Sequence, residues 1–441
     1  MDPKEAYEKV FSLMEEHHRW FSSSIPLIAS ENVTSCAVKE ALISDFGHRY
    51  AEGWVGERVY AGTKYMDEVE NIAMELAKQL YGVKFADVRP ISGVVANLAV
   101  YTAFTSPGDV MMALPITKGG HISMGPLLGQ KGNFIGGTAG AVRGLDVKYL
   151  AYDNEELNID VDKTIGRMEK YKPKLIMLGG SVILFPQPVK ELSEAAKSLG
   201  AVVNYDAAHV AGLIAGGEFQ DPIDEGADTM TMSTHKTLPG PQHGMVLTND
   251  EEKFEKIKRA SFPGLLSNHH LNAVAALAVA LAEMSVFGRE YASQVVKNAR
   301  SFAEALHDEG FKVPGEKKGF TRSHQVLLDV HEIGGMKAEK LLEEANIIVN
   351  RNLLPWDIKR GRSFFDPGGI RMGVAEVTRL GMKEEEMKEI ARFIRMVLLD
   401  GEDPRAVAKK VAEFRRDFAH VHYAFETSDE AYRYIKLRMS S

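Results

Sequence analysis

One lysine in this sequence stands where a lysine gains little unless its amine takes part in chemistry. Lys236 lies in TMTMSTHKTLPGPQHG, residues 229–244, after an apolar run and before the turn Pro239-Gly240-Pro241. Earlier, in AVVNYDAAHVAGL at 201–213, Asp206 closes a second apolar run and His209 follows. Ligands of open α/β sheets gather beyond the carboxyl ends of strands, which puts Asp206 and Lys236 at one edge. Three other segments point there. Arg89-Pro90-Ile91-Ser92-Gly93-Val94-Val95-Ala96-Asn97 runs through Ser-Gly into a helix, whose exposed N-terminal amides can hold a phosphate. His121 follows the glycines of Lys118-Gly119-Gly120 on a loop, where an imidazole can stack on a flat ring. Arg371, between glycines in Gly368-Gly369-Ile370-Arg371-Met372-Gly373, can clamp a carboxylate at two points. Each feature alone also has an ordinary reading: an ion pair, a solvated lysine, a capped helix, a structural histidine, a half-buried salt bridge.

Together they meet the needs of one cofactor. Pyridoxal phosphate requires a lysine amine for its Schiff base and a carboxylate on its pyridinium nitrogen. The carboxylate keeps that nitrogen protonated, so the ring accepts the electrons left by bond cleavage at an amino acid α-carbon. The lysine must be neutral to attack a carbonyl, which a desolvated or cationic setting favours.

The elements that would position these residues alternate. Residues 1–24 read as a helix ending in a Ser-Ser-Ser-Ile-Pro turn. Met66–Tyr81 is helical, with Val69, Ile72, Ala73, Leu76 and Leu80 on one face and Gly82 past its end. Short runs at 110–114, 175–178, 202–205 and 229–232 read as strands buried on both faces, with a helix at 189–198 between two of them. That rhythm predicts a mainly parallel sheet covered by helices. After residue 287 come a helix stripe closed by Gly310, strands at 325–330 and 347–350, a Glu/Lys-rich helix at 383–398, and a last helix from the cap Asp403-Pro404 to Phe418. We expect an N-terminal helical arm (1–30), a large domain (31–287) and a smaller α+β domain (288–441).

SEN at 30–32, RYAEGWVGERVYAG at 49–62, DAAHVAGL at 206–213, STHKTLPGP at 233–241 and GGIRMG at 368–373, in that order, resemble serine hydroxymethyltransferase, archaeal branch. The resemblance implies an α/β fold of the fold-type I, aspartate-aminotransferase-like class, with a mainly parallel seven-stranded sheet. It implies pyridoxal 5'-phosphate as cofactor and transfer of a one-carbon unit between serine and a tetrahydropterin, giving glycine. Lys236 would carry the cofactor, Asp206 pair with the ring nitrogen and His121 stack on the ring. His209 and Ser181 would lie near the phenolic oxygen and the substrate. Ser92, Gly93 and the amide of Val94 would hold the phosphate, and His235 belongs to the same cofactor-binding set. Ser30 and Arg371 would bind the serine carboxylate, and Asn352 would line the pterin site. Tyr50, Glu52, Tyr60 and Gly264 match residues that reach in from the neighbouring subunit of a homodimer: Tyr50 and Gly264 to the phosphate, Glu52 and Tyr60 to the substrate. Glu52 would help move a proton between the serine hydroxyl and the pterin, which makes the catalytic set Lys236, Glu52, His121, Tyr60 and His209.

The sequence also departs from the family pattern. Val94 and Val95 follow Ser-Gly where a polar residue is common, Leu265 follows Gly264, and Gln242-His243 replace the usual arginine and glycine. The stretch 355–367 is short and basic, with Lys359, Arg360 and Arg362. These changes surround the phosphate and the pterin pocket; of the two carriers, tetrahydromethanopterin and tetrahydrofolate, they lead us to expect a preference for the first, its anionic tail meeting residues 359–362.

Composition narrows the alternatives. A net charge of −8 opposes nucleic acid and anionic membranes as partners, and a lone cysteine, Cys36, forms no intrachain disulfide. The N-terminus lacks the apolar region of a signal peptide, and the longest apolar run, Ala273 to Ala282, is too short to cross a bilayer. We expect a cytoplasmic protein. Gly136-Gly137-Thr138-Ala139-Gly140 lacks the spacing of a dinucleotide fingerprint, and the His17-His18 and His269-His270 pairs have no metal-binding context. The rival readings are a pterin-independent threonine aldolase and a non-catalytic descendant of the fold. Glu52 and Asn352 argue against the first, and Lys236, Asp206 and Arg371 against the second.

Overall fold

The computed structural model describes residues 1–126 and 137–437. Gly136, first of the glycine run considered above, lies outside them. A seven-stranded sheet forms the centre: β1 (Phe85–Asp87), β2 (Val110–Ala113), β3 (Asp146–Tyr149), β4 (Leu175–Gly179), β5 (Val202–Asp206), β6 (Thr229–Ser233) and β7 (Gly244–Thr248). Their spatial order is β1-β7-β6-β5-β4-β2-β3. The pairs β2–β3, β2–β4, β4–β5 and β5–β6 are parallel, and β7 alone runs against its neighbours β6 and β1. This is the mainly parallel sheet that the runs of buried apolar residues predicted.

Strand alternation explains why these runs are apolar throughout. Along β4, Ile176 and Leu178 enter the main core while Leu175 and Met177 enter a second core on the opposite face. Helices cover both faces. Lys64–Tyr81 ends at Gly82, whose φ of 64° is a left-handed cap that glycine adopts without strain. The longest helix, Leu271–Asp308, packs against Lys64–Tyr81 and Glu384–Leu398. It is long and apolar enough to cross a membrane, a longer element than the apolar run at 273–282 suggested. However, 61% of its most apolar window is buried inside this protein, as in a core helix. It also runs through position 287, where the sequence pattern changes.

A second, three-stranded antiparallel sheet contains β8 (Gln325–Asp329), β9 (Asn350–Asn352) and β10 (Gly369–Gly373), with β10 in the middle. One expected strand at 347–350 is two: Ile347–Ile348 pairs in parallel with Ile25–Pro26, and Asn350–Asn352 joins the small sheet. The switch at Val349 ties the segment just after the first helix to the C-terminal part, and Trp20 Nε1 adds a 2.9 Å bond to Asn346. The last helix, Pro404–Arg415, stops short of Phe418.

Candidate active site

Asp206 ends β5, and Lys236 follows β6, its parallel neighbour, so both lie at the carboxyl edge. Ser92 caps the helix Gly93–Phe104, accepting from Val95 N at 3.2 Å. The amides of Gly93 and Val94 then sit in a first turn that provides no intrahelical acceptor. These residues, with His121, His209 and His235, line one cavity of about 210 Å³. A second cavity of about 310 Å³ is lined by His121, Ser181, Asn352 and Arg371 among others. His121 belongs to both walls and lies where the two spaces adjoin.

Burial sets the electrostatics. Desolvation lowers the Lys236 amine to about 8, with Arg371 adding to the drop and Asp206 opposing it. The same burial holds His209 well below the usual imidazole range, and His121 and His235 are also lowered, His235 to about 4. Asp206, 5% exposed, accepts from Asn97 Nδ2 at 2.8 Å and from Ala208 N at 3.0 Å. Asn97 is itself oriented by the Thr231 hydroxyl, which donates to its Oδ1 at 2.7 Å, and it reaches Ser123 Oγ at 3.1 Å. Ser123 bonds His121 Nδ1 at 2.7 Å, so one hydrogen-bonded chain sets both Asp206 and His121.

Arg371 lies on β10 directly opposite Asn350 of β9. Its Nε and Nη2 each donate to Asn350 Oδ1 at 3.2 Å, and Nη1 donates to Ser181 O at 2.7 Å. A guanidinium has five N–H groups, so one remains on each terminal nitrogen, a fork suited to a carboxylate.

The cavity by Lys236 fits a phosphorylated pyridine. His235 Nδ1 is buried without a partner. Glycine at position 93 allows close packing on Ser233: a Cβ there would lie 2.3 Å from its Oγ and 3.3 Å from its backbone N. The cavity thus combines a low-pKa amine, a buried carboxylate and a helix N-terminus.

The expected residues are not all brought together. Lys236, Asp206, His121, Ser92, Gly93, Val94, His209 and His235 line the first cavity, and Ser181, Asn352 and Arg371 the second. Ser30 lines neither, although it follows Ala29, whose carbonyl accepts from His324 Nε2 at 3.0 Å. Tyr50, Glu52, Tyr60 and Gly264 line neither. Tyr50 bonds Ser267 Oγ at 3.0 Å and packs on Tyr60 with ring centroids 5.0 Å apart, and both tyrosines are exposed. Their segment is anchored by buried Glu70. Burial alone would raise its carboxyl, but His269, Arg89 and Arg58 hold it at about 2. Sequence reasoning gave no role to Asn97, Ser123, Gln325 or Asn350. The signal for Asn97 was a single amide in an otherwise apolar helix, and for Gln325 a polar residue opening an apolar strand.

The comparisons with known proteins agree over almost the whole chain. The family profile described as serine hydroxymethyltransferase matches residues 4–394. A serine hydroxymethyltransferase of Korarchaeum cryptofilum is 73% identical, covering 98% of this chain and 100% of the relative. Those of Nitrosopumilus maritimus and Pyrococcus furiosus are 59% and 52% identical; the first covers 99% of both chains, the second 97% of this chain and 98% of the relative.

Proposed function

The chain belongs to the serine hydroxymethyltransferase family and is a transferase acting on serine and glycine; on that premise we propose that it holds pyridoxal phosphate through Lys236 and passes the one-carbon unit to tetrahydromethanopterin. The family is pyridoxal-phosphate-dependent and uses a pterin carrier. The observation that carries the reading for this chain is the pair of adjoining cavities sharing His121: one fits the cofactor, and the other places the Arg371 fork beside Asn352.

When bound, the cofactor supplies an electron sink for the charge left on the α-carbon as the side-chain carbon departs. The remaining work falls to the protein. Lys236, its amine lowered to about 8, is a readier nucleophile than a solvated lysine. Asp206 holds the ring nitrogen, His121 covers the ring, and Ser92 with the amides of Gly93 and Val94 takes the phosphate, assisted by His235. Arg371 and Ser30 orient the serine carboxylate, and Ser181 and His209 face the phenolic oxygen and substrate. Tyr50, Glu52, Tyr60 and Gly264, which line neither of this chain's own cavities, complete the site of a second copy, where Glu52 handles the hydroxyl proton. A monomer is therefore inactive. The single cysteine suits a reducing cytoplasm.

The carrier preference rests on the basic stretch that precedes Phe364 and Pro367 of the second cavity's wall, Arg360 itself lining a separate cavity with Asp329. Arg360 pairs with Asp329 at 3.0 Å and Arg362 with Asp366 at 2.7 Å. Lys359 has no ion pair among the described residues, and with burial it lowers Lys118. An anionic pterin tail would meet Lys359 and Lys118. Reconstitution with pyridoxal phosphate should give a visible absorption band that Lys236→Ala abolishes. The specificity constant should be higher with tetrahydromethanopterin than with tetrahydrofolate. Equal or better use of folate sinks the carrier assignment, and full-rate serine cleavage without any pterin favours an aldolase.

A further inference from the structure

Gln325 opens strand β8, is fully buried, and has all its polar groups engaged at the floor of the site. Its Oε1 accepts from the backbone N–H of Ile183 at 2.7 Å. Its Nε2 lies 2.9 Å from Ser181 O and 3.0 Å from His209 Nδ1. The amide orientation is chemically enforced. A peptide N–H only donates and a carbonyl only accepts, so a flipped Gln325 would set donor against donor at Ile183 and acceptor against acceptor at Ser181. The second Nε2 hydrogen is then aimed at His209.

We propose that Gln325 is a positioning residue that fixes His209 as the neutral tautomer with its proton on Nε2. Nδ1 must accept the amide hydrogen, so the ring's remaining proton sits on Nε2. In that state the ring offers one donor and no second acceptor. Burial favours the uncharged ring independently. The neighbouring ring of His324 stacks on His209 with centroids 5.6 Å apart, and its Nε2 donates to Ala29 O, next to Ser30. Ser181 O accepts from Gln325 and from Arg371 Nη1 at 2.7 Å, so one carbonyl ties the imidazole to the carboxylate fork. The functional consequence rests on the cofactor reading above: an Nε2–H donor suits an anionic phenolic oxygen and opposes its protonation.

The test begins without cofactor, so it stands apart from that reading. Nitrogen-15 spectra of the labelled full-length protein, with His209 assigned by its loss in His209→Asn, should show an unprotonated Nδ1 and a protonated Nε2 near neutral pH. A protonated Nδ1, or a mixture of tautomers, in the unsubstituted protein overturns the proposal. Gln325→Glu keeps an acceptor for Ile183 but turns an oxygen toward His209, so Nδ1 should gain a proton. If His209 is unchanged in that variant, Gln325 does not set its tautomer. In the loaded enzyme, Gln325→Glu should lower kcat about tenfold with the KM for serine nearly constant, the pattern of an interaction made in the transition state. A rise in KM alone would reduce Gln325 to a structural role.

Discussion

The lysine amine makes a quantitative claim that the apo-protein can test. With its pKa near 8 rather than the ordinary 10.5, Lys236 at pH 7 is roughly 9% neutral against roughly 0.03% for a solvated lysine, an advantage of about three hundredfold. The rate of capture of pyridoxal phosphate, followed by stopped-flow absorbance, should rise with pH and level off through a midpoint near 8. Dividing each rate by that of a small free amine at the same pH, expressed per neutral amine molecule, removes the cofactor's own titrations. The causes of the shift predict two variants of opposite sign. Desolvation dominates and should persist in both. Arg371 pushes the amine down, so Arg371→Gln should move the midpoint up; Asp206 pulls it up, so Asp206→Asn should move it down. A midpoint near that of an ordinary lysine, or two variants shifting the same way, would refute the argument that burial and these two charges set the amine.

Two further predictions concern other buried charges. Replacing Arg371 by lysine keeps the charge but loses the fork that Asn350 and Ser181 orient; steady-state assays should show KM for serine rising by about ten- to a hundredfold, the range for one to two charge-assisted hydrogen bonds. An unchanged KM would remove Arg371 from serine binding. Burial raises Glu376 from 4.5 to about 7, with Glu31 adding to the rise, while the Tyr432 hydroxyl, Arg415 and Lys39 oppose it. Between those values the folded state binds the extra proton, so this group's contribution is full below about 4.5 and is lost as pH rises through about 7, at most about 3 kcal/mol. Glu376→Gln should therefore gain stability relative to the parent between pH 5 and pH 8 in urea titrations. The buried histidines, which titrate with the opposite sign, cancel in that difference. A pH-independent difference would contradict it.

Much of the architecture was legible along the chain because its signals are local. Apolar runs such as 175–178 and 202–205 are buried on both faces wherever they pair, and Gly82 and Gly200 end helices through their own left-handed conformations. The positions of Asp206 and Lys236 at strand ends follow from the same patterns, since a parallel sheet brings successive carboxyl ends to one edge. Strand partners at long range were not legible. The run at 347–350 gives no sign that Ile347 pairs with Ile25 while Asn350 pairs with Arg371. Nor does the apolar stretch at 273–282 reveal that its helix continues to Asp308.

The amino-acid sequence by itself determined which groups could do chemistry here and that they would collect at the edge of a parallel sheet. Only the tertiary structure decided how those groups are held: Asn97 and Ser123 join Asp206 to His121, Asn350 faces Arg371 through antiparallel register, and Gln325 reaches both His209 and Ser181. The physical reason is that a hydrogen bond depends on distance and direction at about the ångström scale, which registry between remote strands sets and spacing along one chain does not.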